Sequence, residues 1–136
     1  DAWVIWDPFF AAAEHQIGAR ILATGQNLVS NHQFYLADRK FAEQNPEILK
    51  TLVNELNTTT QWVSQHQDEA AKLLEKPTGL SSDILKTSIS RMGFGVQAIS
   101  AEVTQEQQYV ADAFYQQKLI PNKINIQAAI LNQASK

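Results

Sequence analysis

The sequence predicts an α/β protein whose strands lie in its first third and whose remainder is mostly helical. Two observations carry this. Short apolar runs rich in β-forming residues recur at Ala2 to Trp6, Ala19 to Ala23 and Gln33 to Ala37. From Asp38 onward apolar residues fall instead at helical spacing, between recognisable cap and stop residues.

Taken in chain order, Trp3, Val4, Ile5 and Trp6 lack the polar alternation of a half-exposed strand and read as a buried one. Asp7-Pro8 stops it and opens a helix over about Pro8 to Ile17, with Asp7 as N-cap, Pro8 as first helical residue and Gly18 at the C-cap. Ala19 to Ala23 is a short strand and Thr24-Gly25 a turn. Strand, helix, strand is the rhythm of a parallel α/β layer. Ser30-Asn31-His32 is polar and leads into the strand Gln33 to Ala37.

Asn45-Pro46 is an N-cap pair ahead of Ile48, Leu49, Leu52, Val53, Leu56, Trp62 and Val63 at helical spacing. A second amphipathic piece runs about Asp68 to Leu74 and is closed by Pro77-Thr78-Gly79. Ser81-Ser82 caps a third helix bearing Ile84, Leu85 and Ile89, broken by Gly93-Phe94-Gly95. Ser100 starts a fourth, with Val103, Val110, Ala111, Phe114 and Tyr115 on one face, ended by Pro121. Ile124 and Ile126 form a short extended stretch before a weak helix near Ala128 to Leu131. So few strands would make a thin sheet alone. The β-prone opening follows no turn and no Met, so partner strands are expected in a preceding segment.

Composition narrows the function. Apolar residues make up 44% and charged residues 18%, a globular rather than a disordered balance. Net charge is −3 and the longest basic run is Arg39-Lys40, so the footprint of a nucleic-acid binder is missing. The absence of cysteine excludes disulfides, thiolate metal sites and cysteine nucleophiles, and suits an oxidising periplasm. His15, His32 and His66 stand far apart, so no metal site is expected. No apolar run reaches the roughly 20 residues that cross a bilayer. Neither a nucleophile elbow nor a phosphate loop occurs; Gly93-Phe94-Gly95 is a break between helices. Glu102, Glu106 and Asp112 lie along one helix as a solvated face.

Several stretches, in a fixed order, carry a family resemblance. The opening from Asp1 to Phe10, DAWVIWDPFF, resembles the DAW-x-IWDP-aromatic-aromatic segment of the aliphatic sulfonate-binding proteins of ABC importers. Asn31 to Ala37 is similar to their return segment, and Phe41 to Pro46 to their FAEKNP helix start. Gly95-Val96-Gln97, Ile99 and Glu102-Val103 resemble their GVQPI-x-x-EV stretch, with Ala98 standing where Pro is expected. Gln107-Gln108, Ala111-Asp112, Phe114-Tyr115 and Leu119 to Ile124 resemble the closing motif.

The resemblance implies the C-terminal portion of a type II periplasmic-binding-protein fold, helix-rich, with two lobes and a cleft between them. Residues 1–29 would end the central lobe, 30–34 would be the hinge crossover, and 35–136 would complete the first lobe. It further implies capture of an alkanesulfonate or similar small anion for a permease of the inner membrane, in the periplasm or on a lipid anchor outside the cytoplasm, in the service of sulfur metabolism. The N-terminal half of the same protein would be the other partner. No cofactor is implied.

Five residues are candidates for ligand binding. Trp6 and Asp7 lie at the C-terminal end of a strand, where ligands gather in open α/β sheets. A helix N-terminus offers donors to a sulfonate, yet an N-capping Asp7 would occupy them and repel the anion, which favours a structural or rim-ordering role. Trp6 is either core or a wall for an alkyl chain, while Phe9 and Phe10 read as core. Asn31 and His32, at the crossover, are either neutral donors or a solvated loop. Arg91 has the fork that fits a sulfonate, or is a surface residue near a helix C-terminus.

The rival readings are a pyrimidine-forming enzyme on the same fold, with pyridoxal phosphate on a lysine, and a purely helical interaction module. The enzyme is disfavoured by the missing cysteines and by Lys40 and Lys50 standing on helix faces. Within the binding class, nitrate, taurine, bicarbonate, pyrimidines and riboflavin remain open as ligands.

Overall fold

The computed structural model describes residues 1–26 and 28–131. Six α-helices follow in order: α1 (Phe9–Ile17), α2 (Arg39–Gln44), α3 (Pro46–Gln65), α4 (Gln67–Thr78), α5 (Ser82–Ser90) and α6 (Ala101–Gln116), then a short 3₁₀ helix at Ile126–Ala129. Their ends obey local chemistry. The Asp38 carboxylate accepts the Phe41 N–H and the Ser100 hydroxyl accepts the Val103 N–H, each satisfying a helix donor that has no intrahelical partner. Gly18 and Gly79 close α1 and α4 in the left-handed conformation, at φ 61° and 71°.

Four helix ends differ from expectation. α1 begins at Phe9, so Pro8 rather than Asp7 stands at its N-cap and makes no side-chain cap bond. Asn45 uses its side chain backwards, donating to the Phe41 carbonyl at 2.9 Å, and so closes α2 rather than capping α3. Ser81 sits at the N-cap of α5 without a side-chain cap; the Glu75 carboxylate of α4 accepts the Ser82 N–H at 2.9 Å instead. α6 stops at Gln116, well before Pro121. Lys118 turns left-handed at φ 59°, and the N–H groups of Leu119 and Lys118 bond the carbonyls of Phe114 and Tyr115 at 2.9 and 3.0 Å, a Schellman motif without glycine.

The strands are the larger correction. Among the described residues no two segments form a hydrogen-bonded ladder. The expected strands at Ala2 to Trp6, Ala19 to Ala23 and Gln33 to Ala37 run unpaired, and the first of them is not buried: Trp3 and Trp6 are 70% exposed and Val4 is 96% exposed. A strand needs a neighbour to take its N–H and C=O groups and to cover its face. No described segment supplies one. The expected helix near Ala128 to Leu131 is the 3₁₀ turn, shifted two residues towards the N-terminus.

The chain divides into two compact units. Residues 1–36 with 51–96 form one; residues 37–50 with those from 97 onward form the other, so that α3 contributes to both. In the first unit Ala70 and Ala71 of α4 pack on Leu85 and Ile89 of α5, flanked by Trp62, Val63 and Leu80. Ala11 and Ala12 of α1 pack on Ile84 of α5, again with Leu80. Alanine at the contact lets the helix backbones approach closely, and Ala11 and Ala71 are completely buried. In the second unit the Arg39 guanidinium of α2 donates to the Ala128 carbonyl. The Gln108 amide of α6 accepts the Ile126 N–H at 3.0 Å and donates to the Ile124 carbonyl at 2.9 Å.

Candidate functional site

The elbow Trp6-Asp7-Pro8 enters α1 through three consecutive hydrogen bonds. Phe10 N–H reaches the Trp6 carbonyl at 2.9 Å, Ala11 N–H the Asp7 Oδ1 at 3.0 Å, and Ala12 N–H the Pro8 carbonyl at 3.0 Å. The Asp7–Pro8 peptide is cis. Asp7 therefore holds the start of α1, although its carboxylate engages the fourth residue ahead of it. An anion arriving at this helix end meets the Phe10, Ala11 and Ala12 donors already engaged, and a carboxylate in their midst.

Arg91 closes α5 and reaches back to the same elbow. Its Nη1 lies 3.4 Å from Asp7 Oδ1 and its Nη2 2.6 Å from Glu14 Oε2, while the guanidinium carbon stands 4.4 Å from the centre of the Phe10 ring. All three ionic side chains are partly buried. One cation between two carboxylates leaves a net charge of −1 in the cluster. Its face and its fork are both taken, so pairing with a sulfonate would require Arg91 to give up a carboxylate. His15 extends the contact, its Nε2 lying 3.0 Å from the Thr87 hydroxyl of α5.

Of the five predicted residues, Asp7 and Arg91 are thus brought together across 84 positions of sequence. Trp6 adjoins them and presents most of its surface to solvent. Asn31 and His32 stand exposed on the segment after Val29, with the His32 ring 6.5 Å from that of Phe34 and tilted to it. Glu14 was missed. Its position seven residues after Asp7, two helical turns on, brings it to the side of α1 from which Asp7 enters, and that spacing was the available signal. An open hollow of about 390 Å³ at the α3–α4 junction is lined by Ser64 to Glu69, residues local to one turn. Among the described residues no three His, Asp or Glu groups gather as metal ligands, and no helix is long and apolar enough to cross a membrane.

No protein-family model matches the chain. Curated relatives do. The chain is 33% identical over 131 residues to the aliphatic sulfonates-binding protein of Escherichia coli (strain K12), covering 96% of this chain and 41% of that protein. With its counterpart in Bacillus subtilis (strain 168) it shares 28% over 133 residues, which is 97% of this chain and 40% of the relative. Among solved structures, the alkanesulfonate-binding protein SsuA from Xanthomonas axonopodis pv. citri bound to MOPS superposes with a TM-score of 0.86 at 30% identity, over 96% of this chain and 46% of that one. The periplasmic aliphatic sulphonate binding protein SsuA from Escherichia coli gives 0.89 at 32%, over 96% and 45%. The chain thus spans about two-fifths of the length of its curated relatives, and is homologous to aliphatic sulfonate-binding proteins over nearly all of its own. Its fold is the expected helix-rich C-terminal portion of a type II periplasmic-binding-protein fold. The relatives are named as binding proteins, not as pyrimidine-forming enzymes and not for the other ligands considered.

Proposed function

We propose that this chain is the C-terminal portion of the solute-binding component of an ABC importer, capturing an aliphatic sulfonate outside the cytoplasm and presenting it to an inner-membrane permease. The observation that carries the reading is the agreement, over 96% of the chain, with an alkanesulfonate-binding protein that holds the sulfonate MOPS. The exposed opening segment supports it, since Trp3, Val4 and Trp6 lie open for a partner strand. Capture is not catalysis, and no reaction is assigned.

A sulfonate spreads one negative charge over three acceptor oxygens, so several neutral donors hold it as well as one cation does. In this reading Trp6 supplies a wall for the alkyl chain, Asn31 and His32 supply donors at the crossover 30–34, and Asp7 with Arg91 orders the rim. Residues 1–29 belong to the central lobe. Residues 30–34 are the hinge crossover, and residues 35–136 complete the first lobe. Ligand contacts to both lobes favour the closed state, because binding shifts an equilibrium only by its difference in affinity between two states.

A thermal-shift panel on the complete protein tests the reading. Alkanesulfonates should raise the melting temperature, with about 2.7 kcal/mol of added stability at one hundred times Kd. Nitrate raising it alone would overturn the assignment of ligand class.

A further inference from the structure

We infer that Glu14 is a positioning residue for the sulfonate site: it holds Arg91 on the Trp6-Asp7-Pro8 elbow and so keeps the rim of the site in place. The inference rests on the function proposed above and names a residue that neither touches the anion nor carries opposite charge to attract it. Its ground is the unequal grip on Arg91. The Glu14 contact at 2.6 Å is much the shorter, and the Asp7 contact at 3.4 Å is at the edge of hydrogen-bonding range. Glu14 sits in the middle of α1, whose Ala11 and Ala12 are buried against α5, so its backbone is fixed by packing. Arg91 starts from the C-cap of α5, where its own N–H bonds the Ser88 carbonyl at 3.1 Å. Both ends of the Glu14–Arg91 pair are therefore anchored, and the guanidinium is steered between them onto Phe10 and Asp7.

Two consequences follow for the site. Arg91 ties the α5 C-terminus to Asp7, which precedes α1 and accepts the Ala11 N–H, so it limits how far the elbow and the Trp6 indole that precedes it can swing. It also carries no spare charge, since two carboxylates share one guanidinium. A site arranged so recognises its anion through neutral donors, and Glu14 acts through Arg91 alone.

The test uses the complete protein, with pentanesulfonate as probe and two readouts. Side-chain nitrogen-detected magnetic resonance of Arg91 reports whether its guanidinium is held, with no ligand present. Titration calorimetry reports affinity. In the wild type the Arg91 Nη signals should be resolved; in Glu14→Gln they should average, with affinity weakened roughly two- to fivefold. Glu14→Asp should recover part of both. Adding Glu14→Gln to Arg91→Gln should change affinity no further, whereas a role in general stability would add. Resolved Arg91 signals in Glu14→Gln overturn the inference, as do additive losses or an unchanged or strengthened affinity in a protein that binds the probe. Wild-type protein that binds no sulfonate, yet shows the held guanidinium, overturns the proposed function and this inference with it.

Discussion

Asn57 uses both ends of its side-chain amide on one residue: Nδ2 donates to the Val96 carbonyl at 2.9 Å and Oδ1 accepts the Val96 N–H at 2.7 Å. Gln108 does much the same for Ile124 and Ile126, so each amide serves a stretch of irregular backbone as a neighbouring strand would. The Asn57 pair is half-buried, where a lost partner costs more than a hydrogen bond gains. Asn57→Ala should therefore destabilise the protein by about 1–3 kcal/mol, read from urea unfolding. Asn57→Asp should also destabilise it, because the carboxylate keeps the acceptor but sets a charge against the Val96 carbonyl. An unchanged urea midpoint in both variants would refute the structural role. None of this was legible in the sequence. Asn57 and Val96 are 39 residues apart, and helical spacing marks Asn57 only as a polar position. That a helix starts near Asp7-Pro8 was legible, because that chemistry is local, but Pro8 and not Asp7 takes the N-cap position. That Arg91 would be the partner of Asp7 was not legible, since nothing local joins positions 84 apart.

At the scale of elements, the helix ends were read well where the signal was one residue with a backbone preference. Gly79 is such a residue: at φ 71° its N–H bonds the Glu75 carbonyl at 2.8 Å, and nothing lies within 4 Å of where a Cβ would be. Gly79→Ala should cost roughly 1 kcal/mol from backbone strain alone. Lys118 is the opposite case, a side chain in the left-handed region where the sequence offered no glycine to mark the stop. Lys118→Gly should stabilise by about the same amount, and paired thermal melts of the two variants should move in opposite directions. The α4–α5 pair also carries an ionic tie, Lys86 Nζ to Asp68 Oδ1 at 2.8 Å. The hydrogen bond that Lys86 donates to Asp68, then the charge of Asp68, holds the Lys86 ammonium above its usual 10.5. A raised value means the tie contributes fully below that ordinary pKa and is lost as pH rises through the raised one. Both groups are exposed, so the effect is small and salt-sensitive. Wild type and Lys86→Met should differ in unfolding midpoint at neutral pH and low salt, then converge in strong alkali and in molar salt. A constant gap would mean that Lys86 acts through packing instead.

For the whole molecule the informative quantity is what stays uncovered. The chain exposes 11291 Å², against about 7,100 Å² for a self-contained folded monomer of 15.2 kDa. The excess includes large apolar side chains, among them Trp3, Trp6, Leu36 and Ile48, which a soluble surface seldom presents so thickly. It also explains why strands legible in the sequence form no sheet here: β-propensity specifies a strand, but a ladder needs a second chain segment to receive it. Under the proposed function that segment is the rest of the protein, which has two testable consequences. Expressed alone, residues 1–136 should bind an uncharged hydrophobic dye such as Nile red strongly, and the complete protein only weakly. An alkanesulfonate should bind the complete protein and not the isolated chain. A site that shuts by bringing two lobes onto one anion gains affinity only from contacts made on both sides, and an incomplete part of each lobe offers too few of its donors to offset the entropy of capture. Micromolar binding of an alkanesulfonate by residues 1–136 alone would mean that these helices carry a complete site, and the two-lobe mechanism would have to be abandoned.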